Sequence, residues 1–173
     1  MKSVYDYLTE KRLTSNSIGK KPEVGFGELR DMILEGKDID EVDYSKVTSF
    51  QQMFFNQGHL IRLPDNLDLS HVTNMCCAFR ACSELEYIPK NLDTSKVEDM
   101  RGMFYNCTSL KSIPAMDTTN CYKMQLIFDG CDALEHIERP SDWYLYNWDG
   151  ELAPKNPILK EKYPELYDES IRK

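Results

Sequence analysis

Long apolar runs are missing from this 173-residue sequence, and no stretch approaches the roughly 20 residues that a membrane-spanning helix needs. The N-terminal MKSVYDYLTEKR interrupts its apolar residues with charges where a signal peptide would have its apolar core. Membrane insertion and ordinary secretion are therefore disfavoured, and a cytoplasmic location is expected. An excess of positive charge is also lacking. The net charge of -8 and pI near 4.9 oppose attraction to nucleic acid phosphates and anionic lipids. No G-x-S-x-G, H-E-x-x-H, Walker loop or dinucleotide fingerprint occurs, and Gly25-Phe26-Gly27 is too short to cradle a phosphate. The three histidines, His59, His71 and His136, share no common spacing with a nucleophile or a metal-ligand set. These gaps predict a protein that is not an enzyme and carries no cofactor and no metal.

What is present is repetition. Four segments align from Asp43, Asp68, Asp93 and Asp117, with periods of 25, 25 and 24 residues. In register stand Phe54, Phe79, Phe104 and Phe128; Leu60, Leu85, Leu110 and Leu134; and Leu63, Ile88, Ile113 and Ile137, with Pro64, Pro89 and Pro114 following in three copies. A fixed period of this length signals units that cannot bury their own apolar face and must stack on their neighbours.

Within the second copy, Val72, Met75, Phe79 and Cys82 are spaced as one stripe of an α-helix, while Leu85, Ile88 and Leu92 occupy a short segment suited to a strand. Each unit thus reads as helix, strand and turn. Ser45, Ser70, Ser95 and Thr119 stand where the helix N-caps are expected, and Ser95 with Glu98 would make a capping box. The Asp column then belongs beside helix N-termini, a structural role favoured over a calcium ladder, which needs more oxygen ligands per site.

The strings LDLSHVTNMCCAFRACSELEYIP and LDTSKVEDMRGMFYNCTSLKSIP resemble the BspA-like leucine-rich repeats of bacterial surface proteins, with their D-x-S-x-V-x-x-M-x-x-M-F-x-x-C-x-x-L unit. The resemblance covers residues 43 to about 140. It implies a curved stack of helix–strand units used in adhesion or other protein recognition; large members of that family are secreted. The expected fold is therefore α/β: a short leucine-rich-repeat-type solenoid of four helix–strand repeats over 43–140. A helical N-terminal cap is expected over 1–42 and an aromatic, partly helical C-terminal cap over 141–173. In the first flank Val4, Tyr7 and Leu8 suggest one short helix; Phe26, Leu29, Met32 and Ile33 suggest a second, which Gly36 stops. In the second flank, SDWYLYNWDG holds both tryptophans, and Pro157 can open a terminal helix.

Six cysteines bear on the compartment. Cys82, Cys107 and Cys131 fall in one repeat column, where neighbouring side chains run parallel at a separation wider than a disulfide wants. With no C-x-x-C pair in the chain, a ladder of buried thiols is expected rather than disulfides or a metal site, which suits a reducing compartment.

Function then rests on what faces solvent. Between the apolar columns lie Ile61 and Arg62, Glu86 and Tyr87, Lys111 and Ser112, and Glu135 and His136, a stripe that varies from copy to copy. Arg62, Glu86, Tyr87, Lys111 and His136 are the candidate partner-binding residues on the repeats, and Trp143 and Trp148 compete with them from the C-terminal flank, since Arg, Tyr and Trp dominate interface energetics. The leading reading is a non-enzymatic module that binds a partner protein through the repeat surface. Two other readings stay open: a small phage- or mobile-element-encoded intracellular inhibitor of a host defence enzyme, and an adhesion fragment of a bacterial surface protein. Acidic and basic residues are spread over all three segments, which argues against mimicry of DNA.

Overall fold

The computed structural model of the chain describes residues 20–138 and the single position Glu161. Regular secondary structure is sparse among them: one helix, α1 (Phe26–Leu34), and a two-stranded parallel sheet of β1 (Ser112–Ile113) and β2 (His136–Ile137), with Ser112 opposite His136 and Ile113 opposite Ile137.

α1 forms where the spacing of Leu29, Met32 and Ile33 predicts it, and those three residues are its buried face. The Gly25 N–H donates to Glu28 Oε2 at 3.0 Å, closing the first turn. The C-terminus ends as the sequence implies: Gly36 takes φ +66, its N–H donates to the Ile33 carbonyl, and the Lys37 N–H donates to the Met32 carbonyl. That pair of bonds is the Schellman arrangement, and the left-handed residue it requires is a glycine. The helix expected at Val4, Tyr7 and Leu8, the aromatic segment with Trp143 and Trp148, and the helix expected from Pro157 lie outside the described residues.

The expected solenoid of four helix–strand repeats is overturned. No helix occupies the Val72–Cys82 segment or its counterparts; each is a run of tight turns. The left-handed backbone is the physical reason. Gln52 and Asn56, Cys77 and Ala81, Gly102 and Asn106, and Leu126 and Gly130 all have φ between +55 and +74, two per copy and four residues apart. A right-handed helix cannot pass through such positions. The amides are satisfied in another way. The N–H groups of residues 50, 52, 54 and 56 donate to the carbonyls of residues 74, 76, 78 and 80, one copy further on. Met75, Cys77, Phe79 and Ala81 do the same to residues 99, 101, 103 and 105, and Met100, Gly102, Phe104 and Asn106 to residues 123, 125, 127 and 129. Amides lying between these, such as Ala78, Arg80 and Cys82, close turns onto the carbonyl three residues back. Every second amide thus joins copy to copy, and helix-type bonds are replaced throughout.

The expected N-caps and capping box fall with the helices. Asp43, Asp68, Asp93 and Asp117 instead accept the backbone N–H two residues on, from Ser45, Ser70, Ser95 and Thr119, at 2.9 to 3.0 Å. These are Asx turns, and each leads into a second turn that the Val47, Val72, Val97 or Cys121 N–H closes on the residue after the Asp. The expected strands shrink to β1 and β2 and to single parallel bridges, Arg62 with Tyr87 and the row Ser49, Asn74, Asp99 and Lys123.

The core is built from the in-register columns. Phe54, Phe79, Phe104 and Phe128 are fully buried and stack ring on ring, with centroids 5.5, 5.5 and 6.0 Å apart and planes within 13° of parallel. Met75, Met100 and Met124, the Leu60 column and the Leu63 column are buried around them. Beside the rings, the thiols of Cys82, Cys107 and Cys131 each donate to the carbonyl of the preceding copy's phenylalanine, Phe54, Phe79 and Phe104, at 3.0 Å. The cysteine column is therefore a ladder of buried thiols running along the phenylalanine ladder.

Candidate interaction surface

The stripe that varies between copies is held by backbone pairing. Arg62 and Tyr87 face one another across a parallel bridge, and the Glu86 N–H donates to the Ile61 carbonyl at 2.9 Å. Further along, the Glu135 and His136 N–H groups both donate to the Lys111 carbonyl. Because side chains alternate along an extended segment, burying Leu63, Ile88, Ile113 and Ile137 turns the residue before each of them outward. Arg62, Tyr87 and His136 follow that alternation onto one outward row, and Glu86 and Lys111, one position earlier in their copies, are exposed as well and widen it.

Side-chain contacts tie neighbouring copies together on this row. The Arg62 guanidinium carbon stands 5.1 Å from the Tyr87 ring centre while its Nη2 donates to Asp65 at 2.7 Å. Lys111 Nζ lies 3.7 Å from Glu86 Oε2. Ile61 is 56% exposed and Tyr87 40%, so apolar surface is available amid charges of both signs. Trp143 and Trp148 lie outside the described residues.

A second row was not singled out from the sequence. Phe55, Arg80 and Tyr105 occupy one repeat column in the turn segments, and the Arg80 guanidinium lies between the two rings, 5.8 Å from Phe55 and 4.6 Å from Tyr105. Assigning the segment to a helix hid this row, although aromatic, arginine and aromatic at one register position were readable as a signal.

One charged cluster is partly buried. Asp99, 9% exposed at its side chain, receives Arg101 Nη2 at 2.6 Å and has Lys123 Nζ at 3.9 Å. Burial alone would push its carboxyl up; the hydrogen bonds from Arg101 and the two positive charges outweigh it and hold the group below the usual carboxylate range. The arrangement completes its own pairing, with Tyr122 Oη donating to Glu98 at its edge. Among the described residues no cluster of three or more His, Cys, Asp or Glu side chains is arranged to hold a metal ion. The depressions among them are shallow. The one lined by Asp40, Asp43, Tyr44, Asn66, Asp68 and His71 holds about 390 Å³.

With this geometry in view, comparison with known proteins places the chain. Residues 26–143, more than half of it, match the family described as "Mycoplasma protein of unknown function, DUF285", and the chain belongs to that family. A solved structure, a leucine-rich repeat protein of T. pallidum (TpLRR), is similar at 15% identity over 87% of this chain and 86% of that one, with a TM-score of 0.31. No curated protein matches. The narrower BspA-like assignment is not carried by these matches.

Proposed function

We propose that the protein is a non-enzymatic interaction module that binds a partner protein through the row containing Arg62, Glu86, Tyr87, Lys111 and His136. The observation that carries this reading is the Arg62–Tyr87 pair, an arginine and a tyrosine from different copies fixed side by side by backbone pairing and left open to solvent. A side chain already held in place loses little further freedom on binding, and large amphipathic residues are the ones that dominate interface energies. Charges of both signs on the same row favour a partner of mixed charge over a polyanion.

The test pairs two variants. Arg62→Ala with Tyr87→Ala should abolish binding to a partner recovered by affinity capture while leaving the melting temperature within a few degrees of wild type. Trp143→Ala with Trp148→Ala should leave that binding in place. If the tryptophan pair removes binding at unchanged stability and the row pair does not, the surface is assigned wrongly.

A further inference from the structure

Four of the six cysteines are buried, three of them in the ladder beside the phenylalanines; Cys76 and Cys77 are the two that reach the surface. They are adjacent in sequence, and their sulfurs lie 3.8 Å apart. In an extended segment adjacent side chains point to opposite faces, so a neighbouring pair with converging sulfurs needs a special backbone. The left-handed φ of +55 at Cys77 supplies it. That conformation is pinned on several sides. The Cys76 N–H donates to Asn74 Oδ1 at 2.9 Å, the Cys77 N–H donates to the Arg101 carbonyl at 2.8 Å, and the Cys77 carbonyl accepts the Arg80 N–H at 3.2 Å. Gly102 lies alongside, where a Cβ would touch the Cys77 sulfur at 3.4 Å.

The spacing selects the chemistry. A disulfide needs sulfurs about 2.0 Å apart, so the pair is not posed for that bond. Two sulfurs each about 2.3 Å from one tetrahedral centre, as in zinc–thiolate sites, stand about 3.8 Å from one another, so the gap fits a single atom bridging both. Two ligands are too few for a zinc site, and the nearby Asp99 carboxylate is already committed to Arg101. A centre that completes itself with two sulfurs and one bond of its own is a trivalent organoarsenical, whose narrower pyramidal angle draws the two sulfurs slightly closer than they stand here.

We propose that Cys76 and Cys77 form a vicinal dithiol site for a soft thiophilic electrophile with two open valences, of which a trivalent organoarsenical is the defining class. The reaction is a condensation with no change of oxidation state. An arsine oxide, R–As=O, loses its oxygen as water together with both thiol protons, and two As–S bonds form. No oxidant or reductant is required. Burial first and the neighbouring thiol second push Cys76 up to about 11, so its sulfur carries its proton at neutral pH, the form that this condensation consumes. The positioning of both sulfurs by the turn makes closure of the second bond intramolecular, and that chelation distinguishes the pair from a lone surface thiol. The inference is independent of the partner-binding surface.

The experiment is intact-mass titration of the native full chain with phenylarsine oxide, followed by peptide mapping. One adduct per chain is expected, carried by the peptide with Cys76 and Cys77. It should persist in excess 2-mercaptoethanol and be stripped by 2,3-dimercaptopropanol. Cys76→Ser and Cys77→Ser should each abolish the monothiol-resistant adduct. Protection of both residues from alkylation in the wild-type chain gives the same reading without a variant. An adduct that a monothiol strips, that maps to other cysteines, or that survives in both variants overturns the assignment, as does no adduct at all on the folded protein.

Discussion

Phe79 lies face to face with Phe104, centroids 5.5 Å apart and planes 12° from parallel, although 25 residues separate them. The contact is repeated on both sides by Phe54 and Phe128, so Phe104 has a ring above and a ring below. Removing it should leave a cavity that two stacked neighbours cannot close. Phe104→Ala is expected to cost about 3 to 5 kcal/mol, whereas Phe54→Ala, with its stacked neighbour on one side only, should cost less. Thermal or urea unfolding of the two variants checks the order, and equal losses would show that the ladder is not acting as one.

The columns were legible because burial imposes residue type: only a position packed in every copy keeps Phe, Leu or Ile at a period of 25 residues. The backbone between them was not. Val72, Met75, Phe79 and Cys82 bury the same side chains whether the segment is a helix or a run of turns, since both place the third and fourth residues on one side. The choice is made at Cys77, Ala81 and Leu126, whose left-handed φ no propensity of those residue types announces. Gly102, Gly130, Asn56 and Asn106 at matching register positions were the available hint. Arg62, Tyr87 and His136, by contrast, followed directly from alternation around Ile88 and its counterparts, whereas Glu86 and Lys111 are exposed although alternation alone would put them on the buried side.

The thiol ladder predicts both labelling and alkaline behaviour. Burial raises Cys82 and Cys131 to about 12 and raises Cys107 as well. An unfolded cysteine titrates near 8.5, so the folded chain holds these protons more tightly than the unfolded one. Their contribution to stability is complete below about pH 8.5 and declines as pH rises above it. Unfolding curves from pH 7 to 10 should show that decline. Native labelling at pH 7.5 should spare Cys82, Cys107 and Cys131.

At the acidic end the Asx turns set the sign. Hydrogen bonds from Ser45, Ser70 and Ser95 hold Asp43, Asp68 and Asp93 below the usual carboxylate value. Their contribution is present above the unfolded value of about 3.9 and is lost as pH falls through the lower folded values. Asp68→Asn keeps the turn acceptor and removes the charge, so it should flatten the stability profile below about pH 4 relative to wild type. A profile as steep as wild type would remove Asp68 from this account.

Two glycines should respond in opposite directions to alanine. Gly130 has φ +74, and a Cβ there would run into the Asn106 side chain, with the Asn106 backbone close behind. Gly130→Ala should destabilise by at least the 1 to 2 kcal/mol that left-handed backbone costs a residue with a Cβ. Gly27 lies inside α1 with open space around it, and Gly27→Ala should stabilise by about 0.5 to 1 kcal/mol. Melting temperatures of the pair check both signs.

The Arg62–Tyr87 contact can be weighed before any partner is in hand. Both residues are exposed, so neither substitution opens the core, and any energy they share must come from the guanidinium over the ring. A cation–π pair at an exposed site contributes roughly 0.5 to 1 kcal/mol. The competing bond from Arg62 to Asp65 would make Arg62→Ala alone overstate the pair, which is why a double-mutant cycle with Tyr87→Ala is required. The expected coupling is about 0.5 kcal/mol or more. Arg62→Lys should retain only part of it, because the flat guanidinium stacks on a ring and an ammonium does not. Zero coupling would mean that the two side chains occupy the surface independently, and would leave backbone pairing alone to order this row.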